Sequence, residues 1–180
     1  MSKVSVLMSV YKKENPEYLR ASLESILVQT RTADEILLIE DGPLTQELYQ
    51  VVAEYQKKCD YLHVHVMEQN VQLGRALAKG VELCQYDLIA RMDTDDIAMQ
   101  DRLEKEGAYM EAHPEVDVVG GAIREFNDEG TIDRVKNMPK TQEEILEYVK
   151  VRNPLNHMTV MFRKDSILKV GNYKHFPFLE

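Results

Sequence analysis

Short apolar runs alternate along this chain with longer stretches in which apolar positions recur every three or four residues. Val4 to Val10, Ile36 to Ile39, Leu62 to Met67 and Leu88 to Met92 have the length and aliphatic content of strands. His63 and His65 alternate against Leu62, Val64 and Val66 in the third of these, the pattern of a half-buried strand. Between the runs, Glu17 to Gln29 carries Leu19, Leu23, Ile26 and Leu27 at helical spacing. Gln46 to Lys58 does so with Leu48, Val51, Val52 and Tyr55, and Gly74 to Leu83 with Leu77, Val81 and Leu83 turned inward. Strand and helix alternate through the first hundred residues, which predicts a doubly wound α/β sheet.

Beyond that point the pattern changes. Asp101 to His113 reads as a helix closed by Pro114, and Val116 to Ile123 as a strand containing Gly120 and Gly121. Asn127-Asp128-Glu129-Gly130 has the composition of a hairpin turn, which breaks the alternation and predicts a mixed sheet. Gln142 to Val149 reads as helix, Thr159 to Phe162 as strand, and Lys164 to Val170 as a short helix stopped by Gly171-Asn172.

At 180 residues, 44% hydrophobic and 29% charged, the chain has an ordinary globular composition and the length of one domain. A net charge of -9 argues against nucleic acid as a partner and against an anionic membrane as a coated surface. Cys59 and Cys84 stand apart, outside any metal-binding or redox spacing, and read as reduced packing thiols. No run approaches the roughly 20 apolar residues of a membrane span, and Lys3 to Val10 is too short for a signal peptide. The expected location is cytoplasmic, with peripheral contact at the inner membrane face through a further segment left open. The uncapped aromatic run Phe176-Pro177-Phe178-Leu179-Glu180 reads as a truncated end.

The chemistry collects at predicted strand ends. Leu88 to Met92 runs directly into Asp93-Thr94-Asp95-Asp96. Three carboxylates beside a core strand repel one another and call for positive charge, which Mn²⁺ or Mg²⁺ supplies through hard oxygen ligands. Ligands of open α/β sheets sit outside the carboxyl ends of the strands. There the first strand offers Ser9-Val10-Tyr11 and the second Glu40-Asp41-Gly42. An aromatic ring with a neighbouring carboxylate suits a nucleobase, the ring stacking and the carboxylate accepting from an imide N–H. Arg75, next to Gly74 at a helix start, favours an anion or a carbonyl edge. Arg91 reads either as a diphosphate contact or as a counter-ion to the aspartates. Neither GxGxxG nor GxxxxGK[ST] is present, so dinucleotide and P-loop readings fail.

Taken together, Val4 to Tyr11, Ser25-Ile-Leu-Val-Gln-Thr30, Glu35 to Gly42, Asn70-x-x-x-Gly74, Arg91-Met-Asp-Thr-Asp-Asp96 and Pro154-Leu-Asn-His-Met-Thr159 resemble a family 2 glycosyltransferase of the GT-A fold, a large bacterial group. The resemblance implies a Rossmann-like mixed sheet with helices on both faces. It implies a nucleotide-binding half over about residues 1–98 and an acceptor-side half over about 99–180, incomplete at its end. Ser9 and Tyr11 fall where that family packs the donor nucleotide, Asp41 where it bonds uracil or ribose, and Arg75 near the base. Asp95 corresponds to the direct metal ligand, Asp93 to a ribose or water-mediated contact, and Asp96 to a third acidic position. His157 corresponds to a position near the diphosphate or the acceptor. The general base of inverting members follows an aromatic-apolar segment; Glu180 matches its lead-in, and the base itself is expected one residue further on.

The implied function is metal-dependent transfer with inversion from a nucleotide-diphosphate sugar, UDP-linked first and dTDP- or GDP-linked next, to a glycan or lipid-linked acceptor. A nucleotidyltransferase would need a glycine-rich basic loop after the first strand, and Ser9-Val10-Tyr11-Lys12-Lys13 has lysines without glycine. A nucleotide-binding fragment or pseudoenzyme without turnover is the remaining reading.

Overall fold

The computed structural model describes residues 2–127 and 133–174. Strands β1 (Val4–Val10) and β2 (Glu35–Glu40) are buried on both faces almost throughout, as a parallel sheet covered on two sides requires. Helix α1 (Pro16–Leu27) starts on Asn15, whose side chain accepts from Glu17 N, with Pro16 preorganising the first turn. Helix α2 (Gln46–Lys58) starts likewise on Thr45, which accepts from Leu48 N. They are followed by β3 (Leu62–Val66), α3 (Leu73–Leu83), β4 (Leu88–Met92) and α4 (Arg102–Ala112). The second half adds β5 (Val118–Val119), β6 (Ile123–Phe126), β7 (Asp133–Lys136), α5 (Gln142–Tyr148), β8 (Met161–Arg163) and α6 (Lys164–Lys169).

Six strands form one sheet in the order β3-β2-β1-β4-β8-β5, with β1 to β4 mutually parallel and β8 antiparallel to β4. One apolar layer joins Val4, Val6, Met8, Ile36 and Leu38 to α1, α2 and α4. The other joins Leu7, Leu37, Ile39, Ile89 and Phe162 to α3 and Ile167 of α6. Both cysteines are buried and free. Among the described residues no helix is long and apolar enough to cross a membrane.

Several expectations need correction. The sheet is mixed because of β8, whereas β6 and β7 pair only with each other in a separate two-stranded sheet. Residues 128–130 of the expected hairpin turn lie outside the described residues. The expected strand Val116 to Ile123 is split at the two glycines. Gly121 N donates to Thr159 Oγ1 (2.9 Å) and its carbonyl accepts from Asn156 Nδ2 (3.1 Å), so side chains take the bonds a neighbouring strand would have made. The expected strand start at Thr159 belongs instead to a 3-10 turn, His157–Thr159, in which Thr159 Oγ1 donates to Asn156 O at 2.8 Å. Leu83 is partly exposed; the buried stripe of α3 runs through Leu77, Gly80 and Val81 to Cys84.

Gly80 marks the closest helix-to-sheet approach. A Cβ there would lie 2.3 Å from Cδ1 of Leu7, which is fully buried. Gly80→Val is therefore expected to destabilise the fold by about 2 kcal/mol, overpacking outweighing the gain in helix propensity. Chemical denaturation checks this.

Candidate active site

The chain runs from β1 outward to β2 and β3, then crosses back to place β4 on the other side of β1. Such a switch point opens a crevice at the carboxyl ends of the flanking strands. Here it is a cleft of about 520 Å³. Ser9, Tyr11, Lys13 and Glu14 line it from the end of β1, Asp41 from β2, Asn70, Gln72 and Leu73 from the start of α3, and Asp93, Thr94 and Asp95 from β4. The crevice thus brings together Ser9, Tyr11, Asp41, Asp93 and Asp95 of the residues expected from sequence.

Asp41 is fixed from below and from the side. Its backbone N–H extends the β1–β2 ladder to Val10 O at 2.8 Å. Its carboxylate accepts from Val71 N at 2.6 Å and from Asn70 Nδ2 at 2.9 Å. Burial pushes its pKa up, opposed by the backbone bonds from Val71 and Gln72. Gly42 makes the approach possible: its φ is +82°, and a Cβ would meet Asn70 N at 2.5 Å. Gln72 also has positive φ, +72°, at the entry to α3. Across the cleft, Thr94 Oγ1 donates to Glu14 Oε2 at 2.6 Å and lies 3.3 Å from Ser9 O, tying the ends of β1 and β4 together.

The carboxylate oxygens of Asp93, Asp95 and Asp96 fall within 4.8 Å of one another. Burial, then the negative charge of Asp93 and Asp95, pushes Asp96 up to about 6. Arg91 is 1% exposed and forms an ion pair with Asp93 through Nη2, while its Nε and Nη1 have no partner. A carboxylate cluster whose own charge opposes full ionisation, only partly offset by Arg91 and Arg102, has the donor set for Mn²⁺ or Mg²⁺. Asp93, Asp95 and Asp96 are the residues that fit such an ion.

Arg75 and His157 are not among the described residues that line the cleft. Arg75 is exposed on the first turn of α3. His157 is packed against Tyr173, with Nε2 2.9 Å from the tyrosine hydroxyl and ring centroids 5.4 Å apart. Burial, reinforced by Arg91, lowers its pKa to about 4, so it is neutral at pH 7 and brings no cation to a diphosphate. Glu180 lies outside the described residues. Lys13, Glu14, Gln72, Leu73 and Thr94 were not singled out from sequence; Gln72, Leu73 and Thr94, like Asn70, stood within noted motifs and Lys13 within the noted lysine pair, but Glu14 carried no local signal.

Another largely enclosed carboxylate, Glu106, is linked through Arg102 to the strand that carries the acidic loop. Arg102 of α4 donates to Arg91 O at 2.8 Å and pairs with Glu106 at 3.2 Å. Burial, opposed by Arg102, pushes Glu106 up to about 7. For a carboxyl raised in the folded state, stability is greatest below the unfolded pKa and is lost as pH rises through the folded one. Glu106 therefore lowers stability as pH rises from about 4.5 to about 7, and Asp96 acts in the same direction up to about 6. Glu106→Gln is expected to remove a downward contribution to Tm between pH 5 and about 7, leaving that of Asp96 and the opposing rise from His157 up to about 6.5; melting curves of variant and wild type across that range check it.

The family model for glycosyl transferase family 2 matches residues 5–171. The chain is 43% identical over 176 residues to the amylovoran biosynthesis glycosyltransferase AmsE of Erwinia amylovora, covering 98% of this chain and 65% of that protein. It is 36% identical over 177 residues to the UDP-Gal:alpha-D-GlcNAc-diphosphoundecaprenol beta-1,3-galactosyltransferase of Escherichia coli, covering 95% of this chain and 62% of that one. The chain thus spans just under two thirds of the length of these curated relatives. Among solved structures, the mannosyltransferase PcManGT of Pyrobaculum calidifontis, in complex with GDP-Man and Mn²⁺, superposes with a TM-score of 0.71 at 13% identity, covering 96% of this chain and 48% of that one. With the parallel core, the antiparallel β8 and the family match over nearly its whole length, the chain belongs to glycosyl transferase family 2 and has the GT-A fold.

Proposed function

We propose that this chain is the donor-binding part of a glycosyltransferase that moves a sugar from a nucleotide-diphosphate sugar, UDP-linked, to a hydroxyl of a glycan or lipid-linked acceptor. One observation carries the reading: Tyr11 and Asp41 line the same crevice as Asp93 and Asp95, two members of the acidic cluster that Asp96 completes. The relative from Escherichia coli is named for a UDP-sugar and a diphospholipid acceptor, and the neighbour from Pyrobaculum calidifontis is held with a nucleotide sugar and Mn²⁺.

In this reading Tyr11 stacks on the base and Asp41, held by Asn70 and Val71, accepts from its imide N–H. Ser9 packs on the nucleoside, Asp93 reaches the ribose, and Arg75 approaches the base from the rim. Asp95, with Asp93 and Asp96, would hold Mn²⁺ or Mg²⁺, which supplies Lewis-acid stabilisation to a departing diphosphate when bound there. Arg91 pairs with Asp93 and orients its carboxylate. The acceptor oxygen attacks the anomeric carbon, the bond from that carbon to the phosphate oxygen breaks, and a carboxylate general base takes the acceptor proton. A lipid-linked acceptor would set this chemistry at a membrane surface.

Calorimetric titration of UDP, then GDP and dTDP, in Mn²⁺ and in EDTA tests the proposal. Metal-dependent binding with UDP tightest is expected. Tighter binding of GDP or dTDP would overturn the donor assignment, and no binding of any of the three would overturn the site.

A further inference from the structure

We propose that Ser22, Ser25 and Gln29 are positioning residues that hold the acidic loop between β4 and α4 in its metal-binding shape, without touching metal or nucleotide. The inference rests on reading Asp93, Asp95 and Asp96 as the metal site.

An amphipathic helix in this position should bury only apolar side chains, and Leu19, Leu23 and Ile26 of α1 conform. Ser22, Ser25 and Gln29 are nonetheless 0%, 6% and 7% exposed. Their spacing sets them on one stripe along the α1 direction. Buried polar groups are costly unless bonded, so the destination of these bonds matters.

All three side chains bond one loop. Ser22 Oγ donates to Asp93 O at 2.7 Å. Ser25 Oγ accepts from Ala98 N at 3.0 Å while donating to Ser22 O at 2.7 Å. Gln29 Nε2 donates to Met99 O at 2.8 Å and its Oε1 accepts from Leu103 N at 3.0 Å. Thr30 N adds a bond to Gln100 O at 2.8 Å. The bond to Leu103 also caps α4, whose own N-cap residue, Asp101, makes no side-chain cap bond. Asp95 and Asp96 thus lie between two anchored backbone atoms, Asp93 O and Ala98 N.

Apolar packing does not account for the loop's position. Ile97 and Met99 are 56% and 73% exposed, and only Ala98 between them packs against the core. The carboxylate oxygens of Asp93, Asp95 and Asp96 lie within 4.8 Å of one another, and their mutual repulsion works to spread the loop. The α1 stripe opposes that spreading before any cation arrives, which removes an ordering cost from metal binding. The stripe also gives a role to Ser25 and Gln29 of the Ser25-Ile-Leu-Val-Gln-Thr30 segment.

The test compares wild-type protein, Gln29→Met and Ser22→Ala, with UDP titrated in Mn²⁺ and again in EDTA, and Mn²⁺ alone followed by electron paramagnetic resonance. Gln29→Met keeps the side-chain length and deletes every bond. It is expected to weaken Mn²⁺ binding and Mn²⁺-dependent UDP binding about tenfold, within the range of outer-sphere partners, and to leave UDP binding in EDTA unchanged. Ser22→Ala loses one bond and is expected to show a fall of about threefold in the Mn²⁺ arms only; it carries the test should Gln29→Met fail to fold. Wild-type affinities in both variants, or equal losses with and without metal, would overturn the inference while leaving the site reading intact. Absence of any metal effect in the wild type would overturn both.

Discussion

Asp95→Ala is expected to bring UDP affinity in Mn²⁺ down to its level in EDTA, a loss on the order of 100-fold, while the metal-free protein becomes slightly more stable. The two effects have one cause. Asp95 is exposed and makes no ion pair among the described residues, so it contributes charge rather than packing. Its negative charge raises the pKa of Asp96, and its removal relieves that repulsion. Stability without metal should rise by up to about 1 kcal/mol as the response to metal disappears. Asp93 behaves differently, because it is the ionic partner of the buried Arg91. Asp93→Ala would leave a buried guanidinium without its carboxylate, a change that typically costs about 3–5 kcal/mol for a buried pair and less here, since Asp93 is partly exposed. Nucleotide calorimetry beside thermal melting separates the two aspartates. Metal-dependent UDP affinity that survives Asp95→Ala would contradict the assignment of Asp95 as a ligand.

Gly42→Ala is expected to have the second largest effect, on stability and on nucleotide binding together. The backbone at Gly42 has φ of +82°, and an added Cβ would sit 2.5 Å from Asn70 N and 2.9 Å from Gln69 C. Backbone atoms cannot swing aside as a side-chain end can, so the loop 69–71 must move. Left-handed strain and the clash together should cost about 3 kcal/mol. That loop supplies both bonds to the Asp41 carboxylate, from Asn70 and Val71. The folded fraction should therefore bind UDP more weakly in Mn²⁺ and in EDTA alike, in contrast to Asp95→Ala. Denaturant melts and titrations in both buffers check it; unchanged affinity in EDTA would remove Asp41 from the nucleotide site.

The first half of the chain was legible because β1, β2 and β4 are short, apolar and doubly buried, and α1 and α2 carry clear stripes and caps. Gln46–Lys58 and Leu88–Met92 fell where the pattern placed them. The later part was less legible because its backbone bonds go to side chains. Nothing local in Val116 to Ile123 announces that Asn156 and Thr159, more than thirty residues on, will take the bonds of Gly121. Nor does the sequence show that β8 returns antiparallel beside β4, since a three-residue strand has no period to read.

The cleft shows the same division. Asp41, Asp93 and Asp95 could be found because carboxylates at strand ends are chemically conspicuous. Glu14 could not, because its link to Thr94 spans 80 residues and exists only after folding. His157 and Arg75 show the other side, since residue type and position suggested them and neither is among the described residues that line the cleft. Burial made His157 neutral and paired it with Tyr173, and Arg75 projects from an exposed helix position outside the cleft lining. The serines and glutamine of the α1 stripe are uninformative in sequence for a further reason: polar residues on a helix are read as its solvent face until the structure shows what they bond.

Crystals grown with UDP and Mn²⁺, measured at the manganese absorption edge, would test the central claim most directly. The account predicts an anomalous peak within about 2.2 Å of an Asp95 carboxylate oxygen, bridging to the diphosphate, with the uracil against Asp41 and Tyr11. A manganese peak away from Asp93, Asp95 and Asp96, or ordered UDP in the cleft with no metal beside its phosphates, would contradict it.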